Sequence, residues 1–468
     1  MADSYELIVL GGGTGGYSCA LRAADLGLQV ALVEKDKVGG TCLHWGCIPT
    51  KAFLQAAEVA EHVQHAGDYG VRASYDGIEV AALLDYKQSV VDANWKGLQA
   101  TLKSRGVDTI AGIGGLKDAR TVVVSTGEGE RTLTAGRGLV LATGSVPRGI
   151  PVEGAEIDGE TVITSDHALY REALPERPIV LGAGAVGVEF ATVWNAFGAQ
   201  EVTIVEMLDG LVPNEDPDTR KALARDFKRR GITALTSTRL TRVEKGDGGV
   251  RVTVEGPKGE QQLEGDVLMI AIGRRPVTED LGYEDAGITV ERGYVPVDGL
   301  CRTSAEGVYA IGDILPPPAL GLAHASFQEG FLVAEHLADR PTTAIDYAGV
   351  PRVTYSHPEI ASVGLTEEQV REAGIEYDTA TFPFSHNGRA MMMKAGGHVK
   401  VLAAKDGGKV LGIHIVGPRA TDLIAEGQLI YNWEALPTEV AQFIHPHPTL
   451  TEALGEAHMK LAGNPLHG

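Results

Sequence analysis

The pattern of apolar and polar positions near the start of the chain predicts a strand, a turn and a helix in that order. Residues 5–10 form an apolar, β-branched run, residues 11–16 are nearly all glycine, and a helical alanine- and leucine-rich pattern continues to about Leu26. A second apolar run, residues 29–33, leads to Glu34, which lies 23 residues after the first glycine of the turn. We therefore expect strand, tight turn, helix and second strand.

This arrangement is the fingerprint of a dinucleotide-binding fold. Gly11 suits the tight turn, Gly13 allows close approach of a pyrophosphate, and Gly16 allows the helix to pack closely on the strand. Glu34 suits a pair of ribose hydroxyls. A glycine motif alone is weak evidence because glycine-rich turns are common. The preceding strand and the acid at the expected distance favour the dinucleotide interpretation over a purely structural turn.

The same pattern recurs later in the chain. The apolar run 178–181 leads into Gly182, Gly184 and Gly187, and a further strand ends at Glu206, 24 residues after the first of these glycines. Two dinucleotide-binding domains imply two different dinucleotides, and a flavin with a nicotinamide is the economical pairing.

One acidic side chain predicts which nicotinamide cofactor is used. A carboxylate at Glu206 pairs with a ribose 2′-hydroxyl and repels a 2′-phosphate, and residues 207–210 contain no arginine to receive such a phosphate. We therefore expect NAD in preference to NADP.

The remaining patterning predicts an α/β protein with two Rossmann-like dinucleotide-binding domains and an α+β C-terminal domain. Prolines and polar residues in the stretch 147–160 indicate a linker between the two copies, and a second boundary falls near Pro276. A later strand pattern ends at Asp313, whose carboxylate could hold polyol hydroxyls. From about Tyr347 the chain changes to alternating strands and late helices.

Composition and charge exclude several classes of partner. The chain has 468 residues with 41 Lys and Arg against 62 Asp and Glu, a formal net charge of −21. This charge repels nucleic acid and anionic membranes, and it attracts a basic protein. Because the sequence has neither a long apolar run nor a signal-peptide pattern at its start, we expect a cytoplasmic protein and no membrane partner.

Two of the four cysteines are close together in sequence, at Cys42 and Cys47. In a reducing compartment such a pair is more often catalytic or metal-binding than structural. Gly46 permits the bend that brings the two together, and Pro49 suits the first position of a following helix. The positive end of that helix is expected to lower the thiol pKa. The alternative is a pair of buried, inert cysteines.

Four motifs carry a resemblance to a known family. Residues 39–51, which contain both cysteines, are similar to its redox-active disulfide motif, and residues 142–147, 309–313 and 447–452 are similar to three further motifs in the same order. The chain thus resembles the flavin-dependent pyridine nucleotide–disulfide oxidoreductases along nearly its whole length.

The resemblance implies a function for each part of the chain. It assigns residues 1–149 to an FAD-binding domain, 150–275 to an NAD-binding domain, 276–346 to a central segment completing the FAD site, and 347–468 to an interface and dimerisation domain. The cofactor-binding residues it implies are Gly11, Gly13, Gly16, Glu34, Thr41, Lys51, Thr143, Gly144, Asp313, Ala323, Gly182, Gly184, Gly187, Glu206 and Gly273.

The resemblance also implies catalytic roles. Cys42 would exchange with a substrate dithiol while Cys47 faces the flavin. Lys51, one turn into the following helix, would pair with Glu189 near the reactive edge of the flavin. Without the resemblance, two solvated charges would be the preferred interpretation of Lys51 and Glu189.

His447 is the candidate general base, because an unperturbed histidine, with a pKa of about 6.5, accepts a thiol proton near neutral pH. Glu452 would hold its other ring nitrogen, although residues 449–452 also read as a capping box in which Glu452 only caps the last helix. His445 is the competing histidine. A metal site at the two histidines lacks further nearby ligands, so we expect none.

Similarity in residues 356–366 and 415–424 favours the family members that oxidise protein-bound dihydrolipoamide. The partners then implied are a second copy, in a homodimer with a shared active site, and the lipoyl-bearing acyltransferase core of 2-oxo acid dehydrogenase complexes. The alternatives are a disulfide reductase of the glutathione or mycothiol type and a flavin-bearing subunit without catalytic activity.

Overall fold

The computed structural model describes residues 3–246 and 248–467. The strands up to residue 147 are β1 (Asp3–Leu10), β2 (Val30–Glu34), β3 (Asp108–Ala111), β4 (Ile113–Asp118), β5 (Thr121–Thr126), β6 (Gly129–Leu141) and β7 (Ser145–Pro147). The next strands are β8 (Val162–Ile163), β9 (Pro178–Leu181), β10 (Val202–Val205), β11 (Ile232–Leu235), β12 (Arg239–Gly246), β13 (Gly249–Gly256), β14 (Gly259–Gly265), β15 (Val267–Ile270) and β16 (Arg274–Pro276). The last are β17 (Val308–Ala310), β18 (Arg352–Thr354), β19 (Glu359–Gly364), β20 (Tyr377–Pro383), β21 (His398–Ala404) and β22 (Val410–Gly417).

The helices follow the same chain order. Those up to residue 229 are α1 (Thr14–Asp25), α2 (Gly40–His44), α3 (Cys47–Gln64), α4 (Val80–Ser104), α5 (Ser165–Ala168), α6 (Ala185–Ala196) and α7 (Pro217–Arg229). The later ones are α8 (Ala323–Leu337), α9 (Glu367–Glu372), α10 (Gly388–Met392), α11 (Ala420–Asn432), α12 (Pro437–Val440) and α13 (Glu452–Leu461). Short 3₁₀ helices lie at Ala66–Tyr69, Gly312–Ile314, Tyr347–Gly349 and Phe384–His386.

The first of two compact units contains the chain up to Ala52 and residues 81–148 and 274–347. Its main sheet has the order β3-β2-β1-β6-β5-β4, with β17 also paired to β6, and its central pairings around β1 are parallel. Leu7 and Val9 join one apolar cluster, and Ile8 and Leu10 join another. Both faces of β1 are thus buried, which explains its continuous apolar sequence.

The second unit contains residues 53–80, 149–273 and 348–468. It holds a parallel sheet of order β11-β10-β9-β15-β8, an antiparallel sheet of β12, β13 and β14, and an antiparallel sheet of order β18-β19-β22-β21-β20. Helices α11 and α13 pack on the last of these sheets, where Leu423, Ile424 and Leu454 enter its core.

The expected fold class is confirmed, with a parallel nucleotide-binding type of sheet in each unit and an α+β arrangement at the C-terminal end. The helix expected to begin at Pro49 begins instead at Cys47. Pro49 remains in the first turn, where backbone N–H groups have no intrahelical acceptor and a proline costs little. The ranges of the four domains given above stay a prediction. Among the described residues, no helix is both long and apolar enough to cross a bilayer.

Candidate active site

The first glycine turn leaves one position open and closes two others. Gly11 has a φ of +107°, and a Cβ built on it would lie 2.2 Å from the carbonyl oxygen of Ala142. A Cβ on Gly16 would lie 1.8 Å from the carbonyl oxygen of Gly11, whereas a Cβ on Gly13 would meet no atom within 4 Å. Backbone packing therefore requires glycine at positions 11 and 16, and the free space lies at Gly13, where α1 begins and its N–H groups can face an anion.

The acid after β2 is held by backbone groups on both sides. Glu34 accepts a hydrogen bond from the N–H of Gly12 through Oε2 (2.7 Å) and from the N–H of Asp36 through Oε1 (2.9 Å). These bonds fix the carboxylate beside the glycine turn. The glycine turn at 11–16, the N-terminus of α1 and Glu34 together form a site that we call the first cradle. An open turn at a helix N-terminus with an oriented acid is the arrangement that a dinucleotide requires, so these residues fit FAD.

The second glycine turn repeats this geometry. A Cβ on Gly182 would lie 2.5 Å from the carbonyl oxygen of Ala271, a Cβ on Gly187 would lie 2.0 Å from that of Gly182, and Gly184 is open. Glu206 accepts hydrogen bonds from the N–H groups of Ala183 (2.7 Å) and Leu208 (2.8 Å). The second cradle therefore fits NAD on the same grounds as the first fits FAD.

A polar network in the first unit surrounds Asp313 and Thr41. Ser145 donates its hydroxyl proton to Oδ2 of Asp313 (2.5 Å). Arg274 donates to the hydroxyl of Ser145 (2.7 Å), to the carbonyl oxygen of Ser145 (2.7 Å) and to the hydroxyl of Thr41 (3.3 Å). Sequence analysis named Asp313 and Thr41 but missed Arg274 and Ser145. Ser145 begins β7 and lies inside the motif at 142–147, where it was given no role, and Arg274 begins β16, close to the expected boundary near Pro276.

The other expected cofactor residues lie at turns and helix ends. Thr143 donates its hydroxyl proton to the carbonyl oxygen of Val277 (2.6 Å). Gly144 and Gly273 have φ values of +68° and +111°, and a Cβ on either would meet nothing within 4 Å. Ala323 is the first residue of α8.

The two cysteines form a hydrogen-bonded pair. Cys42 lies in α2 and Cys47 is the first residue of α3. The hydrogen bond that the Cys42 thiol donates to Cys47 raises the pKa of Cys42 most strongly, burial and the charge of Cys47 raise it further, and the ammonium of Lys51 lowers it. The expected lowering of the thiol pKa is therefore wrong for Cys42. A thiol that donates to a neighbouring thiolate holds its proton tightly, and this outweighs the field of a helix end.

Tyr17 is a site residue that sequence analysis missed. It lies on α1, where burial and then the charges of Cys42 and Cys47 raise the pKa of its phenol to about 12. Its ring contacts that of Phe327, with centroids 5.7 Å apart. The glycine fingerprint drew attention to the turn before Tyr17, and no sequence signal indicated that its ring would face the cysteines.

Lys51 and Glu189 belong to different units. Lys51 lies one turn into α3, close enough to affect the Cys42 thiol. Glu189 lies in α6, is buried, and accepts a hydrogen bond from the backbone N–H of Tyr355 (2.9 Å). Their pairing stays a prediction.

His447 and Glu452 are joined directly. Nδ1 of His447 lies 2.8 Å from Oε1 of Glu452, and the other carboxylate oxygen accepts the backbone N–H of Thr449 (2.8 Å). Burial raises the pKa of Glu452, but these hydrogen bonds outweigh it and hold that pKa below its ordinary value. The imidazole of His447 is 81% exposed and so is open to a thiol from outside the chain.

The expected capping box is only half present. Helix α13 begins at Glu452, its N-cap is Thr451, and no side-chain bond caps it. Thr449 instead donates its hydroxyl proton to the carbonyl oxygen of Pro446 (2.7 Å). Glu452 thus both orients His447 and binds the backbone of the preceding loop.

The competing histidine has a different environment. Nε2 of His445 lies 2.7 Å from Oε1 of Glu426, and its side chain is 11% exposed. Within the described part of the chain, no group of three or more His, Cys, Asp or Glu side chains is arranged to hold a metal ion.

Comparison with known proteins gives matches along the whole chain. Residues 5–330 match the family model of the pyridine nucleotide-disulphide oxidoreductases, and residues 350–458 match the dimerisation domain of that family. A dihydrolipoyl dehydrogenase of Bacillus subtilis is 37% identical, with 100% of each chain covered. A leghemoglobin reductase of Glycine max is also 37% identical, with 99% of this chain and 89% of the relative covered.

The fold also matches solved structures. The crystal structure of LpdA from Mycobacterium tuberculosis superposes with a TM-score of 0.90 at 30% identity, covering 98% of this chain and 100% of that one. The flavoprotein disulfide reductase RclA of Escherichia coli superposes with a TM-score of 0.86 at 26% identity, covering 98% of this chain and 100% of that one.

These findings confirm the expected oxidoreductase class and the FAD and NAD cofactors, and the dimerisation domain supports a homodimer. Since the family models together reach from residue 5 to residue 458, and relatives above 30% identity align over the full length, the chain belongs to the pyridine nucleotide-disulphide oxidoreductase family.

Proposed function

We propose that this enzyme oxidises protein-bound dihydrolipoamide to lipoamide and reduces NAD. The observation that carries the proposal is the hydrogen-bonded pair of Cys42 and Cys47, placed at the start of a helix in a chain 37% identical to a dihydrolipoyl dehydrogenase over its full length. A dithiol substrate exchanges electrons with a cysteine pair without any other oxidant.

The exchange proceeds by two attacks at sulfur. A substrate thiolate attacks Sγ of Cys42 in the oxidised pair, and the Cys42–Cys47 bond breaks with its electron pair going to Cys47. The second substrate sulfur then attacks the first, closes the lipoamide disulfide and releases Cys42 as a thiolate. The substrate loses two electrons and the cysteine pair gains them.

His447 and Glu452 move the proton that this exchange requires. Because a carboxylate only accepts hydrogen bonds, the contact with Glu452 places a proton on Nδ1 of His447. Nε2 of the neutral ring then holds a lone pair and takes the proton from the first substrate thiol, which it releases to solvent. It next takes the proton from the second substrate thiol and returns it to the released Cys42 thiolate, so Cys47 remains a thiolate.

The two glycine cradles bind the cofactors. FAD would be held by Gly11, Gly13, Gly16 and Glu34, together with Thr41, Thr143, Gly144, Asp313 and Ala323. NAD would be held by Gly182, Gly184, Gly187, Glu206 and Gly273. When bound, FAD accepts the electron pair of the reduced cysteines and NAD carries it away as hydride. Lys51 and Glu189 would pair beside the flavin.

The setting we propose is a homodimer in which Cys42 of one subunit works with His447 of the partner subunit. The larger partner is the lipoyl-bearing acyltransferase core of a 2-oxo acid dehydrogenase complex, and the compartment is the cytoplasm. The dimerisation-domain match at residues 350–458 supports the first of these.

The test compares both directions of the reaction on the purified holoenzyme. NAD reduction by dihydrolipoamide is measured against oxidation of NADH or NADPH by glutathione disulfide and mycothiol disulfide. We expect rapid NAD reduction, with kcat/KM for NAD orders of magnitude above that for NADP because of Glu206. Faster reduction of either disulfide than oxidation of dihydrolipoamide would instead identify a reductase, and no turnover with any substrate would identify a non-catalytic subunit.

A further inference from the structure

A second histidine–carboxylate pair lies two residues before the proposed base. His445 is hydrogen-bonded to Glu426 of α11, with 2.7 Å between Nε2 and Oε1. His447 is hydrogen-bonded to Glu452 of α13, with 2.8 Å between Nδ1 and Oε1. The two histidines differ in exposure, since the side chain of His445 is 11% exposed and that of His447 is 81% exposed. The proposed chemistry assigns no step to the pair of His445 and Glu426, so its purpose needs a separate explanation.

The ring of His445 is clamped between two helices. A Cβ built on Gly455 of α13 would lie 2.6 Å from Nδ1 of His445, so any larger residue at 455 would collide with the ring. On its other side the ring is bonded to Glu426. Both helices pack on the C-terminal sheet, and the clamp therefore fixes the start of the loop that carries His447.

The clamped histidine is also a source of positive charge. The hydrogen bond to Glu426 raises the pKa of His445 above its ordinary value, burial opposes this, and the charges of Glu426 and Glu452 and a backbone hydrogen bond at Phe443 add to the rise. A raised pKa means that the ring keeps its charge to higher pH.

The groups facing this histidine from the neighbouring helices are Glu426 of α11, and Glu452 and His458 of α13. His458 is buried, which lowers its pKa to about 4, so it is neutral near pH 7. Within this group, the hydrogen bond to Glu426 favours the charged form of His445. Its charge is one of the influences that hold the pKa of Glu452 down.

We propose that His445 and Glu426 form a positioning pair for His447, which fixes the loop that carries the base and sets the pH range over which the base is free to accept a proton. Glu452 holds the ring of His447 at Nδ1. A positive charge at His445 repels a second positive charge on the ring of His447 and so keeps Nε2 of His447 available at lower pH. The role given to His447 rests on the proposed function.

The test uses three variants of the holoenzyme. In His445→Gln the amide can still donate to Glu426, but the positive charge is lost. In Glu426→Gln the negative charge is lost and His445 loses the main cause of its raised pKa. The matched control is His467→Gln, because His467 is also paired with a glutamate of α13, Glu456 at 2.6 Å, but is not part of the loop at 445–449.

Two readouts are measured for each variant. One is the pH profile of kcat/KM for dihydrolipoamide, and the other is the pH midpoint of imidazole C2-hydrogen exchange at each histidine, followed by mass spectrometry. We expect His445→Gln to raise two midpoints by about 0.5 pH unit or more: that of the kcat/KM profile and that of C2-hydrogen exchange at His447. Glu426→Gln should move them less and should lower the exchange midpoint of His445 itself, and the control should match the parent.

Each outcome decides the proposal. Unchanged His447 midpoints in His445→Gln, or an equal shift in the His467→Gln control, would overturn it. If His445→Gln does not fold, an unchanged His445 midpoint in Glu426→Gln overturns it and a lowered one supports it. If the parent does not oxidise dihydrolipoamide while the exchange midpoint of His447 still moves, the proposed function fails and the positioning pair stands.

Discussion

At the scale of single residues, the reduced form of the site is governed by the contact between two sulfurs. The hydrogen bond between Cys42 and Cys47 raises the pKa of Cys42, and Lys51 opposes the rise. A thiol with a raised pKa is a poor nucleophile unless a base removes its proton. The raised pKa therefore favours the return of a proton to Cys42 at the end of the exchange, whereas the base acts on the substrate thiol.

We expect Cys42→Ser to lower dihydrolipoamide oxidation by at least about 10³-fold, because no disulfide can then form with Cys47. FAD should stay bound, since the cradle at Gly11–Gly16 and Glu34 holds it without the sulfur. Activity is measured as NADH formation, and bound flavin by absorbance after gel filtration. Cys19→Ala is the matched control, because Cys19 is fully buried in the core and touches neither cradle's open position. Full lipoamide turnover by Cys42→Ser would contradict the disulfide assignment.

At the scale of secondary-structure elements, the strand–turn–helix unit separates packing from ligand binding. A Cβ at Gly16 collides with the backbone at Gly11, whereas one at Gly13 meets nothing within 4 Å of the protein. Gly13 also has a φ of −70°, which alanine adopts without strain.

Gly16→Ala should therefore lower the melting temperature of the flavin-free protein, with a cost of about 1–3 kcal/mol for overpacking. Gly13→Ala should leave that melting temperature unchanged and weaken FAD binding instead. Thermal unfolding of the flavin-free chains and fluorescence titration with FAD distinguish the two effects. Equal destabilisation by both substitutions would show that Gly13 also serves packing.

A buried ion cluster fixes a helix N-terminus of the second unit to its C-terminal sheet. Lys400 of β21 is almost fully buried and contacts three carboxylates, those of Asp216 (2.8 Å), Asp218 (2.8 Å) and Glu367 (2.6 Å). The hydrogen bond from Lys400 is the largest cause that lowers the pKa of Glu367 to about 2. Removing one partner of such a cluster leaves buried charge uncompensated.

We expect Lys400→Met to lower stability at pH 7 by about 3–5 kcal/mol. In the parent, the contribution of Glu367 is full above its ordinary pKa of about 4.3 and is lost as pH falls toward 2. In the variant the three carboxylates repel one another without a cation between them, so protonating one of them relieves the repulsion. The melting temperature of the variant should therefore rise as the pH is lowered from 7 to 5, while that of the parent does not. The control is Lys405→Met, which breaks the exposed pair with Asp378 at the end of the same strand. A variant that loses stability on acidification in parallel with the parent would contradict this account.

At the scale of the whole molecule, the dimerisation domain allows one site to draw on two subunits. If His447 of the partner subunit serves Cys42, then Cys42→Ser and His447→Ala chains, each inactive alone, restore one competent site in a mixed dimer. Random mixing should recover about one quarter of the parent activity, because half of the dimers are mixed and half of their sites are complete. A mixture of Cys42→Ser and Cys47→Ser chains is the control and should stay inactive. Full activity in dissociated monomers would rule out a shared site.

The net charge of −21 predicts how the enzyme meets a larger partner. A small basic binding domain, the kind of docking element that the family resemblance implies, would be attracted to this acidic chain. Exposed charges are screened beyond roughly 8 Å at physiological ionic strength, so docking should weaken with added salt while turnover of free dihydrolipoamide changes far less. Both are measured from low to high salt. Docking that is independent of ionic strength would show that the acidic surface serves solubility alone.

Much of the site could be predicted because its signals are local. The glycine turns and their acids lie within about 25 residues of chain, and both carboxylates bind the backbone of their own turns. His447 and Glu452 are five residues apart and meet across one loop. Where sequence analysis was wrong, a neighbour outweighed a local rule: Cys47 reversed the expected pKa shift of Cys42, and the start of α13 at Glu452 removed Thr449 from the cap.

The two nucleotide cradles, the cysteine pair and the family are all evident from the sequence, because periodicity and motif spacing are properties of neighbouring residues. The distant side chains that complete these sites are known only from the folded chain. Ser145 and Asp313 are 168 residues apart, Lys400 and Asp216 are 184 apart, and Glu426 reaches His445 from a different helix. Hydrophobic patterning states which face of an element is buried but not which other element covers it, so these polar contacts appear only when the elements pack.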